Sequence, residues 1–358
     1  MDLPFRIQTQ AGDQRVISVD GAFGAPGLNL SHWPGHSTPP DLRRDLSTEI
    51  AFAFLELPAA RQAELTANCE ALVNNHFDTD GVCAAFALLQ PDLARDHAQA
   101  LIDAAAAGDC FRAPTDAAVC LDITIQSFAD LTRSPIATEL AGLESAARYE
   151  RATLELFDRL GAMLQPGGLE PYEHLWSAPL ARLHTDQEDL RKAAFDELVH
   201  LDAGVYQASA PFDPGRHAVF SASDLDRVLL LGQDAAGCTA RLLINTTSWF
   251  DLPTRRAQAR PDLASLCSEM NELEGVPPHT ERGSEDLPRW RHQPANSPAP
   301  EFWFGSSNVP LYVEHGSDHL AKSRLDATTI KARVLDALRA TWTFSDDEDE
   351  EEGDWRIV

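Results

Sequence analysis

Short apolar runs broken by glycine and proline fill the first 45 residues, and Arg15-Val16-Ile17-Ser18-Val19 and Leu28-Asn29-Leu30-Ser31 read as strands. Asp45-Leu46-Ser47-Thr48-Glu49 predicts a helix start, a small polar cap followed by an acid in the first turn. Ile50, Phe54 and Leu57 give that helix its apolar face. A strand ending at Asn75 follows, then a buried helix from Val82 to Leu89 stopped by Pro91, then a helix from Leu93 to Ala107. Ala117-Ala118-Val119-Cys120-Leu121 reads as a second buried strand, ending in Asp122. Strands joined by helical crossovers imply an α/β fold with a mainly parallel sheet and helices on both faces.

From Ile136 to about Leu201 the pattern is mainly helical, interrupted at Pro166-Gly167-Gly168. The texture then changes. Gly204 to Ser209, Ala218 to Ser221, Arg227 to Gly232 and Thr239 to Ser248 predict antiparallel strands between turns rich in Asp, Gly and Pro. Leu263 to Leu273 returns to helix, a Pro-rich loop runs through Pro300, and Thr328 to Leu338 predicts a last helix. The expected organisation is an α/β lobe over residues 1–202, an α+β lobe over 203–344 and a disordered acidic tail over 345–358.

Composition narrows the function. The net charge is −27, of which the tail carries −7, so −20 remains on the body. That balance argues against a broad nucleic-acid surface and suits a tail that contacts a basic partner. No apolar run approaches the roughly 18 residues of a membrane span. The N-terminus does not read as a secretory signal. Six scattered cysteines without a C-x-x-C pair read as reduced thiols in a cytoplasmic protein.

The chemistry concentrates at Asn75-His76-Phe77-Asp78-Thr79-Asp80-Gly81. In extended backbone alternate side chains share a face, so His76, Asp78 and Asp80 are expected to converge where a strand ends. One imidazole and two carboxylates suit a divalent metal, Mn²⁺ or Mg²⁺ and equally Zn²⁺. The alternative is a plain helix start in which Asp80 is the cap.

His-x-Asp-x-Asp-Gly after an apolar strand resembles the first motif of the DHH (Asp-His-His) phosphoesterase superfamily. That resemblance implies a two-metal hydrolase of phosphate esters or anhydrides, acting on a small phosphorylated substrate or a short oligonucleotide. It implies His76, Asp78 and Asp80 as metal ligands, Asp78 and Asp80 as the catalytic carboxylates, and Asp122 as the second-motif aspartate. The chain lacks the downstream Asp-His-His triplet and the glycine-rich histidine motif of that superfamily. The wording is also similar to an uncharacterised bacterial family sharing His-Phe-Asp-Thr-Asp-Gly and Ser-His-Trp-Pro-Gly.

Two other readings use the same residues. Phe77-Asp78-Thr79-Asp80-Gly81-Val82 is similar to the haloacid dehalogenase signature, with Asp78 as nucleophile and Asp80 as acid/base. A non-catalytic binding protein on a degenerate phosphoesterase-like fold is the other. In Ser31-His32-Trp33-Pro34-Gly35-His36 two histidines flank a turn, so His32 or His36 is expected to contact substrate or metal, the alternative being an ordinary loop anchored by a buried tryptophan. Arg241, with Arg255 and Arg256, would hold an anionic group from the second lobe. Glu314-His315-Gly316-Ser317-Asp318-His319 is a further candidate chelator, and Trp249, Trp290 and Trp303 are expected to fill core or a lobe interface.

Overall fold

The computed structural model describes residues 3–255, 258–276, 287–305 and 320–341. The acidic tail, Arg256 and the histidines of Glu314–His319 lie outside the described residues.

Four short strands near the N-terminus form one parallel sheet in the order β1-β4-β2-β3. They are β1 (Phe5–Ile7), β2 (Val16–Val19), β3 (Gly27–Leu30) and β4 (Leu72–Asn74). Ile17, Val19, Leu30 and Leu72 project from it into the main core. That core packs against α1 (Ser47–Leu55), α3 (Thr79–Leu89) and α8 (Ser145–Met163), with α2 (Ala59–Leu65) between α1 and β4 in the chain. Val16 and Val73, one position out of phase, point to the opposite face, where they cluster with Ala71, Phe23 and Ala25.

Four helices continue the N-terminal half: α4 (Pro91–Asp96), α5 (Ala98–Cys110), α6 (Asp116–Phe128) and α7 (Ala137–Leu140). The stretch expected as one helix over 93–107 is thus divided at His97. The strand expected over Ala117–Leu121 is instead the first half of α6. Thr115 caps it by accepting the Ala118 amide, and Asp116 stands in the first turn. A five-residue apolar run cannot be separated from a buried helix by periodicity, and the cap decides for helix.

After α9 (Glu173–Lys192) a mixed six-stranded sheet forms in the order β5-β6-β7-β8-β10-β9. Its strands are β5 (Ala194–Leu198), β6 (Ala203–Ala208), β7 (Arg227–Asp234), β8 (Gly237–Ile244), β9 (Arg289–His292) and β10 (Glu301–Gly305). Three expectations change here. Residues 194–198 are strand rather than helix, and β6 pairs with β7 in parallel rather than antiparallel fashion. Ala218–Ser221 belongs to α10 (Arg216–Ala222), the crossover that a parallel β6–β7 pair requires. One face of this sheet is covered by α11 (Leu263–Glu274) and α12 (Ala327–Arg339). The other packs Tyr206, Val228, Leu230 and Leu243 against α9, α10 and the Val119 and Ile123 side chains of α6. This second core ties the two sheets together. All six cysteines are free thiols, and among the described residues no helix is long and apolar enough to cross a membrane.

Candidate metal centre

Three of the parallel strands end in a residue of the centre or lead into one within two positions. Asp20 follows β2, His32 stands two residues beyond β3, and His76 two beyond β4. The carboxyl ends of parallel strands are where α/β folds place ligands. Asp20 adopts a left-handed backbone (φ 49°), a conformation aspartate tolerates better than most residues. Its Oδ1 accepts the Trp33 indole N–H and the Ser47 hydroxyl, both at 3.0 Å.

Two groups of ligand atoms meet at Asp20. In the first, His32 Nε2 lies 3.1 Å from Asp109 Oδ2, 3.5 Å from Asp20 Oδ1 and 3.7 Å from Asp80 Oδ2. In the second, His76 Nε2 lies 2.6 Å from Asp78 Oδ2 and 3.2 Å from Asp20 Oδ2. Asp20 Oδ2, His32 Nε2 and Asp109 Oδ2 are buried, and none has a hydrogen-bond partner. Buried polar atoms are normally satisfied. These orphans lie at the two groups, Asp20 Oδ2 facing His76 and the other two facing each other, and the groups could hold metal ions.

The surrounding contacts orient these atoms. His32 Nδ1 bonds the Asp45 carbonyl and His76 Nδ1 bonds Asn75 Oδ1 at 2.7 Å. Each contact fixes the ring and turns Nε2 inward, as for metal-bound histidines. Phe250 stacks on His32 with ring centroids 3.9 Å apart. Asp80 accepts the amides of Ser47 and Thr48, both at 2.7 Å, and so anchors the first turn of α1. Asp109 sits near the end of α5, which the second lobe holds. His217 bonds the Ala107 carbonyl at 2.9 Å, Thr246 the Asp109 carbonyl, and Asn245 the Cys110 carbonyl at 3.2 Å.

Crowded carboxylates make this centre electrostatically expensive. Burial, reinforced by neighbouring aspartates, pushes Asp80 up to about 7 and Asp109 well above the ordinary carboxylate range. Burial also raises Asp78. Burial opposes the charge of Asp20 as well, but the facing imidazoles of His32 and His76 outweigh it and hold that carboxyl well below the usual range. Both imidazoles are held well above theirs despite burial, His32 chiefly by Asp109 and His76 chiefly by Asp78. These shifts show carboxylates and imidazoles crowded together, a donor set that could also hold a divalent cation.

The motif residues divide between the groups. The backbone stays extended only to Asp78, which caps α3 by accepting the Gly81 amide at 2.8 Å. Asp80 is therefore in the first helical turn and joins His32 and Asp109, while His76 and Asp78 form the second group. Asp122 belongs to neither group. It lies in α6, accepts the Thr79 hydroxyl, and its Oδ2 is 3.8 Å from His217 Nε2. His32, expected at substrate or metal, stands in a group that could hold a metal. His36 turns away to Asp251 at 3.2 Å. Arg241 is buried between Glu301 and Asp213 in a charge network that includes Arg216, so no substrate reaches it. Trp33 and Trp249 pack edge to face at the lobe interface, and Trp290 and Trp303 are buried. Asp20 and Asp109 were not singled out from the sequence. Asp20 ends a β-like run and precedes glycine, which is a signal in retrospect; Asp109 has none.

A cavity of about 630 Å³ opens beside the centre, within the range of small-molecule sites. His76, Asp78 and Asp109 stand at it, with Trp33, Phe77, Phe111 and Phe250 as aromatic wall, and Asp122, Asp130, Arg133 and His217 as polar wall.

Fold and centre together define an α/β protein with a buried Asp/His centre at the carboxyl ends of its parallel strands. The chain belongs to the family of unknown function DUF6687, whose profile matches residues 1–349. No curated protein and no solved structure matches it.

Proposed function

We propose that this protein is a divalent-metal-dependent hydrolase of phosphate esters or anhydrides, with Mn²⁺ or Mg²⁺ as the metal. The observation that carries the reading is Asp20, whose two oxygens face two separate imidazole–carboxylate groups. A carboxylate in that position suits a shared ligand between two cations. Asp20, His32, Asp80 and Asp109 would hold one cation, and Asp20, His76 and Asp78 the other. Such a pair supplies Lewis acidity at a phosphoryl oxygen and a water of lowered pKa.

The chain's own residues do the rest. Asn75 and the Asp45 carbonyl aim the imidazoles, and the α1 amides hold Asp80 in place. The aromatic wall excludes water from the cavity floor. Asp78 engages Gly81 through Oδ1 and His76 through Oδ2, which favours a ligand over a free nucleophile of the dehalogenase type. The DHH resemblance of residues 76–81 agrees with this reading, and reduced thiols agree with a cytoplasmic location.

The test is Mn²⁺-dependent hydrolysis of p-nitrophenyl phosphate together with the metal content of the purified protein. Asp20→Asn is expected to abolish turnover and lower the bound metal. Metal binding without turnover of any phosphate ester, or no bound metal at all, would overturn the hydrolase reading and favour the non-catalytic binding protein.

A further inference from the structure

The polar wall of the cavity has an unusual charge balance for a site that receives phosphate. Arg133 is the only arginine or lysine among its described lining residues. That guanidinium is already engaged, because Arg133 Nε lies 2.7 Å from Asp130 Oδ2. Asp130 is fixed in turn by the Thr132 amide at 2.8 Å and the Thr132 hydroxyl at 2.7 Å. Its carboxyl is held down to about 2, against the burial that opposes it, by Arg133 and Thr132. Asp122 adds a second buried carboxylate to the same wall. Counting Asp20, Asp78, Asp80 and Asp109 as well, the region stays net negative with two divalent cations and Arg133 in place. Positive charge sufficient for one phosphoryl group exists only at the centre itself. The rest of the lining is largely aromatic and apolar, with Trp33, Phe77, Phe111 and Phe250, besides the uncharged Gln126 and Thr246 and the imidazole of His217.

We infer that the cavity takes a monophosphorylated small molecule whose organic part is apolar and uncharged, and that Asp130, by pairing with Arg133, excludes substrates bearing a second anionic group. This rests on the metal-hydrolase reading and narrows it, since it disfavours oligonucleotides and bisphosphates. A second anion in a cavity of this size sits within about a Debye length (~8 Å) of Asp130. At that separation two unit charges at an effective dielectric near 20 discriminate by at most roughly thirtyfold, and Arg133 beside Asp130 offsets part of that. Asp130 is 30% exposed and Arg133 46%, and screening reduces the expected ratio to about tenfold.

The experiment is calorimetric binding of phenylphosphonate and benzene-1,4-diphosphonate to the Mn²⁺-loaded full chain. These share a body and differ by one anionic group. Phenylphosphonate is expected to bind about tenfold more tightly. Asp130→Asn, which frees Arg133, should narrow that ratio at least threefold, and Arg133→Gln should widen it. Equal or tighter binding of the diphosphonate overturns the inference, as does a ratio unmoved by Asp130→Asn or binding of neither compound. The hydrolase reading is judged separately, on Mn²⁺-dependent turnover of p-nitrophenyl phosphate.

Discussion

Gly81→Ala places one methyl group against the centre, and the structure sets its consequences apart from ordinary helix effects. Gly81 lies in the first turn of α3, where alanine gains up to about 1 kcal/mol in helix propensity. Its Cβ would lie 2.1 Å from Asn74 Nδ2, 3.0 Å from Asp20 Oδ2 and 3.1 Å from Asp78 Oδ1. Asn74 cannot simply swing aside. It is 3% exposed, and its Oδ1 accepts the Asn75 amide at 2.6 Å. Overpacking of this kind costs typically 1–3 kcal/mol, so the ion-free variant should lose about 1–2 kcal/mol net. The larger effect concerns the ion, because the Asp20 oxygen displaced is one of the three orphans. Gly161→Ala is the control. It lies in α8, away from the centre, and its Cβ would meet Leu93 Cδ2 of α4 at 2.5 Å, a similar propensity gain with an apolar clash. Thermal unfolding with and without Mn²⁺, with calorimetric titration of the ion, separates the two. Both variants should melt earlier without metal, and only Gly81→Ala should lose Mn²⁺ affinity, by tenfold or more. Parental Mn²⁺ affinity in Gly81→Ala would refute the placement of the ion beside Asp20.

Other consequences can be measured directly. Asn75→Ala removes the contact that orients His76 and should weaken Mn²⁺ binding by about 10–100-fold, read by titration, with little change in the ion-free melt. Glu301 is held down to about 2 by Arg241 and Arg216 against the burial that opposes its charge. Its folded value lies below the ordinary 4.5, so it contributes stability above that pH, about 3 kcal/mol. That contribution should disappear as pH falls from about 4.5 through about 2, in denaturant midpoints of the parent compared with Glu301→Gln. Arg241→Ala leaves Glu301 and Asp213 buried without their main partner and should destabilise by about 3–5 kcal/mol, while the Mn²⁺ affinity of the folded fraction stays unchanged.

The alternation of His76 and Asp78 after β4 made half of the cluster legible in the sequence, because both side chains sit in one extended stretch. Asp80 was legible as a candidate ligand but not as a neighbour of His32, since its position depends on α3 beginning at Thr79. Asp20 and Asp109 were hidden for a different reason. Each is one acid among 56 acidic residues, and only the parallel sheet and the docking of α5 bring them to the histidines. The fold class followed from the apolar runs. Two short runs, Ala117–Leu121 and Ala218–Ser221, were misassigned as strands because five or fewer apolar residues carry no usable period. Arg241 was misplaced because the sequence does not reveal that Glu301 and Asp213 surround it.

The three bonds by which His217, Asn245 and Thr246 grip the end of α5 bind the architecture to its chemistry. A fragment ending after α9 would retain the four-stranded sheet and every candidate ligand, yet would lack the bonds that hold the end of α5 carrying Asp109. Recombination between the halves, natural or engineered, therefore has to exchange α5 and the β8–Phe250 stretch together. The candidate metal-holding side chains belong to the first half, but their alignment is a joint possession.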